Sequence, residues 1–234
     1  MEGPGDKYVL ALDVGGTLTR AILFNRNGTA VRRSEVSTTT LVPEEGAMEH
    51  DPEEMWRSVC TVIEGVVSDL PEHGEEVAAL GIGVQRATFC LWDRDSGRVR
   101  SNFISWSDVR AGEEAGRMNR MWLWKILQTF ARIGSLVTGS TFLTAASQLS
   151  FVTDHVLPRL LWLFGREPVL REDAVRGRLL FGTIETFLVY RLTGGRIHAT
   201  DASNAAASSL YNPFSLKWNA LFCRFFRIPM GMLP

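Results

Sequence analysis

The sequence predicts an α/β domain whose sheet begins as an antiparallel meander and which carries a helical insertion. Two apolar runs of strand length, Tyr8 to Leu12 and Ala21 to Phe24, are joined through two adjacent glycines. A capped helix start at Asp51-Pro52 and another strand-like run, Val77 to Val84, follow them. Helices that alternate with strands in this way pack on the faces of a sheet.

The first third of the chain predicts three antiparallel strands and one helix. The turn residues 25–28 separate the second strand from a third, Thr29 to Ser37. In the helix Asp51 is the expected N-cap, and its apolar residues recur at helical spacing from Met55 to Leu70. Pro71 and His73-Gly74 are expected to end it.

The remaining elements follow from similar patterns. Trp122 and Trp124 lie in the helical insertion and are interpreted as helix-packing core rather than as a cofactor site. We expect a hairpin from Thr88 to Trp92 and Val99 to Trp106, helices over Gly112 to Arg132 and Phe142 to Trp162, a strand from Leu179 to Ile184, a helix from Glu185 to Leu192, an edge segment from Ile197 to Ala199 and an amphipathic stretch from Leu216 to Ile228.

Composition narrows the class of protein. The 234 residues are 45% hydrophobic and 22% charged with a net charge of −1, which is typical of a globular protein and gives no basic excess for nucleic acid. Three widely spaced cysteines, Cys60, Cys90 and Cys223, fit neither a disulfide framework nor a zinc site. The absence of a signal pattern and of a long apolar run predicts a cytoplasmic protein with neither membrane nor nucleic acid as partner.

The stretch from Tyr8 to Arg20 predicts a phosphate-binding turn. Gly15 and Gly16 let backbone N–H groups approach an anion. Asp13 stands beside them, and a carboxylate next to phosphate requires a cation such as Mg²⁺. Thr17 offers a hydroxyl and Arg20 a planar fork that suits phosphate. The alternative is an ordinary hairpin turn with Asp13 as a turn former.

Two further places carry candidate ligand-binding residues. Gln85 and Arg86 follow the apolar strand Val77 to Val84, and strand ends of this kind are where α/β sheets bind ligands. Trp106 and Asp108 lie at a junction between a strand and a helix. The alternatives are an Arg86 that emerges into solvent and an Asp108 that only caps a helix.

Six segments together resemble the N-terminal domain of the FGGY carbohydrate kinases and are most similar to glycerol kinases. Their order and spacing agree with that family from residue 8 to 234, and QRAT with NFISW resembles the animal glycerol kinase 5 branch. The segments are ALDVGGTLTR, EHDPEEMW, GIGVQRATFCLWD, ISWSDVRA, LLFGTIETFLVYRLTGG and HATDASNAAASSLYNP.

The resemblance implies a ribonuclease H-like, actin-like ATPase domain with a mixed five-stranded sheet, spanning residues 8–234 after a flexible N-terminus at 1–7. The Gly15-Gly16 turn would hold ATP phosphates, Asp13 would hold Mg²⁺ through water, and Thr17 and Arg20 would meet the transferred phosphoryl group. These roles agree with the physics of phosphoryl transfer, in which positioning and charge compensation dominate. The substrate side would be formed by Gln85, Arg86, Trp106 and Asp108.

The sequence departs from the glycerol kinase pattern in three ways, of which two concern the substrate and one concerns the catalytic base. Ala87 replaces an acid that would accept a substrate hydroxyl, and Leu143 or its neighbours stand where a tyrosine is expected. The family's catalytic base, an Asp in a Gly-Asp-Gln-Gln segment, is expected beyond Pro234, as is a second domain that binds adenosine. The catalytic base is therefore not assigned to any residue of this sequence.

The sequence thus leads to two hypotheses. The first is an ATP-dependent kinase that phosphorylates a primary hydroxyl of a polyol or sugar, with this chain as the substrate- and phosphate-binding half and a possible homodimer as the full-length form. The second is a catalytically weak or silent relative that acts as a binding or scaffold module, suggested by Ala87 and by the missing tyrosine. A dinucleotide-binding oxidoreductase is rejected because a strand, not a helix, follows the glycines.

Overall fold

The computed structural model describes residues 7–68, 70 and 77–234, and contains two sheets and a helical region. The strands are β1 (Tyr8–Val14), β2 (Leu18–Phe24), β3 (Ala30–Ser37), β4 (Glu49–His50), β5 (Val77–Val84), β6 (Phe89–Asp93), β7 (Phe103–Ile104), β8 (Leu179–Thr183), β9 (Tyr211–Asn212) and β10 (Lys217–Trp218). The helices are α1 (Pro52–Val67), α2 (Gly112–Arg120), α3 (Trp122–Thr138), α4 (Thr141–Gln148), α5 (Val156–Arg166), α6 (Pro168–Val175), α7 (Ile184–Leu192), α8 (Ala202–Ala206) and α9 (Ala220–Phe225). A 3₁₀ turn spans Met230–Met232.

The first sheet has the strand order β3-β2-β1-β5, so the predicted meander is confirmed. β1 pairs with β2 in antiparallel register and with β5 in parallel register. Along β2 the buried residues alternate, Thr19, Ala21 and Leu23. Strand side chains alternate between faces, so this pattern places one face of the sheet against α1 and leaves the other open.

The expectation of five strands in this sheet is wrong for the part of the chain that the structure describes. The strand Leu179–Thr183 does not join β5 but pairs antiparallel with β6, in a second sheet of order β4-β7-β6-β8. β5 is left as the edge of the first sheet, which explains why its apolar residue Leu80 remains 39% exposed.

The helix α1 forms as its cap predicts. The carboxylate of Asp51 accepts a hydrogen bond from the Glu53 N–H at 2.8 Å, and Pro52 occupies the first turn. The predicted apolar face, including Met55 and Val59, is buried. The helix ends at Val67, one turn before the predicted Leu70, and the expected terminators at 71 and 73–74 lie outside the described residues, as does nearly all of the segment 1–7.

The helical insertion is more divided than the sequence indicates. The predicted helix over 112–132 breaks at Met121, whose ψ of 121° is extended. Trp124 is buried as expected, but Trp122 is 72% exposed, so its interpretation as core is wrong. The predicted helix over 142–162 is interrupted between α4 and α5 at residues 149–155. Residues 197–199 form no strand, and the stretch 216–228 contains β10 before α9.

Two hydrophobic clusters hold the elements together. One fills the space between the first sheet, α1 and α7, and its centre includes Val14, Val59 and Phe187. The other packs the helical region onto β6 and β8 around Phe89 and Phe164. Strand β6 contributes to both clusters because both of its faces are buried.

The three cysteines are free, Cys60 being half-buried and the other two buried. Burial raises the pKa of the Cys223 thiol to about 11. None of the helices in the described ranges combines the length and apolar character that a bilayer crossing requires.

Candidate functional site

The Gly15-Gly16 turn joins β1 to β2 and is closed by the Gly15 N–H, which donates to the Leu18 carbonyl at 3.0 Å. Neither glycine adopts a left-handed φ, so conformational freedom does not explain the pair. The close approach of neighbouring side chains to Gly16 explains the absence of a side chain there. A Cβ added at Gly16 would lie 2.8 Å from Gln85 Oε1 and 3.3 Å from His50 Nε2. Glycine at 16 therefore leaves room for the side chains that surround the turn.

His50 is a member of this group that sequence reasoning missed. It is buried, and its Nδ1 lies 3.0 Å from the Thr39 carbonyl, so that nitrogen carries the proton. Its Nε2 is then an acceptor and lies 3.5 Å from Gln85 Nε2. His50 belongs to the segment EHDPEEMW, which we interpreted from the sequence only as the start of a helix capped by Asp51. The histidine was therefore given no role.

Asp13 and Arg20 are direct neighbours across β1 and β2. Arg20 faces Glu35 on β3 in turn, with its Nε 3.4 Å from Glu35 Oε2. The Asp13 carboxylate is exposed, and no described residue hydrogen-bonds or ion-pairs with it. Asp13, Arg20 and Glu35 therefore form a cross-strand row of alternating charge, in which only Asp13, beside the turn, has no partner among the described residues.

The free carboxylate of Asp13 fits one kind of metal site and not another. No group of three or more His, Cys, Asp or Glu side chains within the described ranges could enclose a metal ion. Mg²⁺ is commonly held by one or two carboxylates with water and substrate phosphates rather than by a complete protein cage. Asp13, exposed beside the Gly15-Gly16 turn and unpaired within the described ranges, fits that arrangement.

Gln85, Arg86 and Trp106 line one cavity of about 580 Å³. The loop after β5 carries the first two, and the Trp106 N–H donates to Thr88 Oγ1 at 3.2 Å, which fixes the tryptophan opposite them. The Arg86 guanidinium is exposed and has one long hydrogen bond, 3.4 Å, to Ser203 Oγ. Three of the four residues predicted for the substrate side thus lie together, with donors that remain available.

Asp108 does not join this cavity. Its carboxylate is fully buried and accepts hydrogen bonds from the Met48 N–H at 3.0 Å and from the Arg110 side chain at 2.7 Å. Arg110 also pairs with Glu44 and Glu49. Because both of its oxygens already have partners within the protein, Asp108 supports the junction and its expected place on the pocket wall is not observed.

Leu143 is also placed elsewhere. It lies on α4 and lines an apolar groove with α3, and the residues that occupy the cavity wall in that part of the sequence are Asp154 and His155. Sequence reasoning missed both, although Pro158, in the first turn of α5, was a signal that the predicted helix over 142–162 is interrupted. Asp154 gives the cavity the carboxylate that Ala87 does not supply.

A buried arginine links the walls of the cavity. Arg159 is fully buried on α5, and its guanidinium donates to the carbonyls of Ala87 and Asp154 at 2.7 and 2.8 Å, and to Ser105 at 2.6 Å. Ala87 holds a left-handed φ of 61°, which is unfavourable for a residue with a side chain. The bond from Arg159 to its carbonyl helps to hold that conformation.

Acidification is expected to destabilise the protein in part through His155. Burial lowers the pKa of His155 below its usual 6.5, against the opposing charge of Asp154, and its buried Nδ1 has no hydrogen-bond partner. The unfolded chain therefore takes up the proton first as the pH falls through about 6.5, so stability is lost on the acid side. Urea denaturation between about pH 7 and 5 should show this loss, and an NMR titration should give the pKa directly.

The variant His155→Gln serves as the comparison. Burial lowers the pKa of His198 as well, so part of the acid loss should persist in this variant. An unchanged slope of stability against pH in His155→Gln, or a pKa of His155 above 6.5 in the titration, would contradict the assignment.

Comparison with known proteins identifies the family of this fold. The model of the FGGY family of carbohydrate kinases, N-terminal domain, matches residues 8–234. Glycerol kinase 5 of Xenopus laevis is 35% identical over 232 residues, which are 99% of this chain and 48% of the relative. Glycerol kinase of Chromobacterium violaceum is 35% identical over 229 residues, 98% of this chain and 43% of the relative. The chain thus spans less than half the length of these relatives.

Solved structures agree on the architecture. Plasmodium falciparum glycerol kinase with ADP superposes with a TM-score of 0.82 at 23% identity, covering 100% of this chain and 44% of that one. Gluconate kinase from Lactobacillus acidophilus gives a TM-score of 0.76 at 21% identity, with coverages of 98% and 42%. Identities this low show the fold alone. The match of the family model over residues 8–234 shows that the chain belongs to the FGGY family of carbohydrate kinases.

Proposed function

We propose that the chain forms the phosphate- and substrate-binding part of an ATP-dependent kinase that phosphorylates a primary hydroxyl of a polyol or sugar. FGGY kinases use ATP, and the relatives named above include glycerol kinases. The observation that carries the proposal is the position of Gln85, which lines the cavity. Its Oε1 would lie only 2.8 Å from a Cβ built at Gly16, so the cavity adjoins the phosphate turn. A transferred phosphoryl group at the turn would lie next to a hydroxyl in the cavity.

The residues divide between two tasks. On the phosphate side, Asp13 would hold Mg²⁺, and the Gly16 N–H and Thr17 would bind phosphate oxygens, because the Gly15 N–H already donates to the Leu18 carbonyl. Bound Mg²⁺ would neutralise the negative charge of the phosphates. The side chains at the turn do little of this, because Asp13 is itself an acid and Arg20 is paired with Glu35. Arg20 would have to leave Glu35 to reach the transferred group, because the two are now paired.

On the substrate side, the cavity offers both donors and an acceptor. Arg86 and Gln85 would donate to vicinal hydroxyls, Asp154 would accept from one, and Trp106 would contact the carbon chain. A site that hydrogen-bonds each hydroxyl discriminates against analogues that lack one. The position of Asp154 differs from that of Ala87, so the hydroxyl pattern it selects is expected to differ from that of glycerol.

A panel of polyols and sugars tests the proposal. We expect at least one compound to raise the melting temperature of the protein and, in the protein that contains both kinase domains, to support ADP release from MgATP. The variant Arg86→Lys retains the charge but loses the planar fork, so binding should weaken by roughly 10-fold. Arg26→Lys, at an exposed turn, is the matched control and should behave as wild type.

The scaffold hypothesis rests on Ala87, since a missing carboxylate weakens a hydroxyl site. It makes the opposite prediction for the same panel. If no compound binds the wild-type protein and none supports ADP release, the kinase proposal fails and the scaffold function is favoured.

A further inference from the structure

Helix α3 is apolar on both sides, and only one side is covered by the described residues. On the covered side, the Trp124 ring packs against Phe151 and Phe222 with centroids 5.0 and 5.6 Å apart. A helix that is apolar all round is normally buried. On the opposite side six large side chains recur at helical spacing and are 40% to 81% exposed: Trp122, Ile126, Phe130, Ile133, Leu136 and Val137.

A neighbouring segment extends this exposed face. Phe214, Leu216 and Leu221 are also more than half exposed. A groove of about 600 Å³ lies between α3, α4 and residues 212–222, and both Phe130 and Leu221 line it. Phe142, which also lines the groove, packs against Phe214 with ring centroids 6.0 Å apart. We call the six α3 side chains with Phe214, Leu216 and Leu221 the α3 apolar surface. Contiguous exposed apolar patches of this kind mark interaction sites.

The two sequence segments that carry the α3 apolar surface contain charges of one sign. Between Glu114 and Asp154 the sequence contains four cations and no acid, and between Asp201 and Pro234 it contains three cations and no acid. The chain as a whole has a net charge of −1, so its acids are concentrated elsewhere. Lys125 and Arg132 lie on α3 itself, and neither pairs with an acid in the described ranges.

We propose that the α3 apolar surface docks on an anionic lipid bilayer. An interfacial helix buries Trp, Phe and aliphatic side chains at the level of the headgroups while flanking Lys and Arg meet anionic lipid. Trp122 and Phe130 provide the aromatic groups, and Lys125 and Arg132 provide the flanking charge. A protein partner would meet few hydrogen-bonding groups on this face, whereas specific protein interfaces contain about one hydrogen bond per 100–200 Å².

Surface docking requires no membrane-spanning helix. The sequence expectation that excluded a membrane partner rested on the absence of long apolar runs, and α3 escapes that criterion because Lys125, Gln128 and Arg132 interrupt its apolar residues. The α3 apolar surface shares no residue with the lining of the cavity, so the proposal does not depend on which substrate binds there.

Vesicle co-sedimentation of the full chain tests the proposal. With phosphatidylcholine vesicles that contain phosphatidylserine, we expect binding at least ~10-fold stronger than with phosphatidylcholine alone, and weaker as ionic strength rises. Phe130→Ser combined with Ile133→Ser should abolish it, and Lys125→Glu combined with Arg132→Glu should remove the preference for anionic lipid. These side chains are exposed, so the fold should persist, which circular dichroism checks.

Matched controls isolate the surface. Val169→Ser with Val175→Ser removes two exposed apolar side chains on α6, and Arg26→Glu with Arg57→Glu reverses two exposed charges elsewhere. Both controls should bind as wild type. The proposal is overturned if wild type does not bind anionic vesicles, or if Phe130→Ser with Ile133→Ser binds as well as the controls. It is also overturned if that variant instead abolishes self-association of wild type in sedimentation velocity, which would assign the surface to a second copy.

Discussion

Replacing Arg159 with methionine is expected to lower the free energy of unfolding by about 3–5 kcal/mol. The guanidinium is fully buried, and besides the carbonyls of Ala87, Ser105 and Asp154 it donates to Ile104 at 3.0 Å and Thr153 at 2.7 Å. Methionine fills a similar volume but leaves these five carbonyls, and that of His155 at 3.3 Å, without this donor. Each unsatisfied buried carbonyl costs about 1–3 kcal/mol, although relaxation recovers part of the sum.

Urea denaturation measures this loss, and two further variants interpret it. Burial lowers the pKa of Arg159 to about 10, so the group is still charged at neutral pH. Arg159→Lys retains a charge but not the fork and should give an intermediate loss. Arg166→Met removes a half-exposed arginine that pairs with Glu44 and lies over Trp162, and should cost less than about 1 kcal/mol. Equal costs for Arg159→Met and Arg166→Met would contradict the role of Arg159.

The second large effect is expected for Asp13→Asn in the protein that contains both kinase domains. If Asp13 holds Mg²⁺ beside the phosphates, the variant should lower kcat/KM for phosphoryl transfer by about 10²- to 10³-fold, since removal of one preorganised electrostatic group costs roughly 3–4 kcal/mol in the transition state. Binding of the polyol or sugar should change little, because Asp13 lies on the phosphate side. Asn is isosteric, and the Asp13 carboxylate has no partner in the described ranges to lose.

Steady-state kinetics against MgATP at several Mg²⁺ concentrations provide the measurement. Asp95→Asn, at an exposed position in the turn between β6 and β7, is the matched control and should retain wild-type rates. An unchanged kcat/KM in Asp13→Asn would contradict the assignment of Mg²⁺ binding to this carboxylate.

The sequence predicted the parts of the fold that depend on local chemistry. The meander, the Asp51 cap and the strand followed by a helix at residues 179–192 all formed as expected, because turn residues, caps and apolar spacing act over a few positions. The pairing of β8 with β6 was not predictable in this way. Apart from Asp93 and Thr183 at their ends, both strands are apolar or glycine, and such strands give no alternation from which to choose a partner.

The site was predictable where a residue follows a strand and unpredictable where tertiary contacts decide. Gln85, Arg86 and Trp106 lie at the cavity as strand ends do. Asp108 was wrongly predicted to line the cavity, because the sequence does not distinguish an acid that faces a ligand from one that pairs with a buried arginine. Arg159 gave no signal at all, since its partners are backbone carbonyls, the most distant of them 72 positions away.

The cavity as a hydroxyl-binding site next to the phosphate turn is the central claim, and NMR of the indole N–H signals tests it most directly. Trp106 lines the cavity, whereas Trp122 is exposed on α3 and serves as the internal control. Titration with the polyol or sugar that stabilises the protein should shift the Trp106 indole and the Gln85 side-chain amide signals while the Trp122 indole stays in place. A bound ligand that shifts neither Trp106 nor Gln85 would contradict the account.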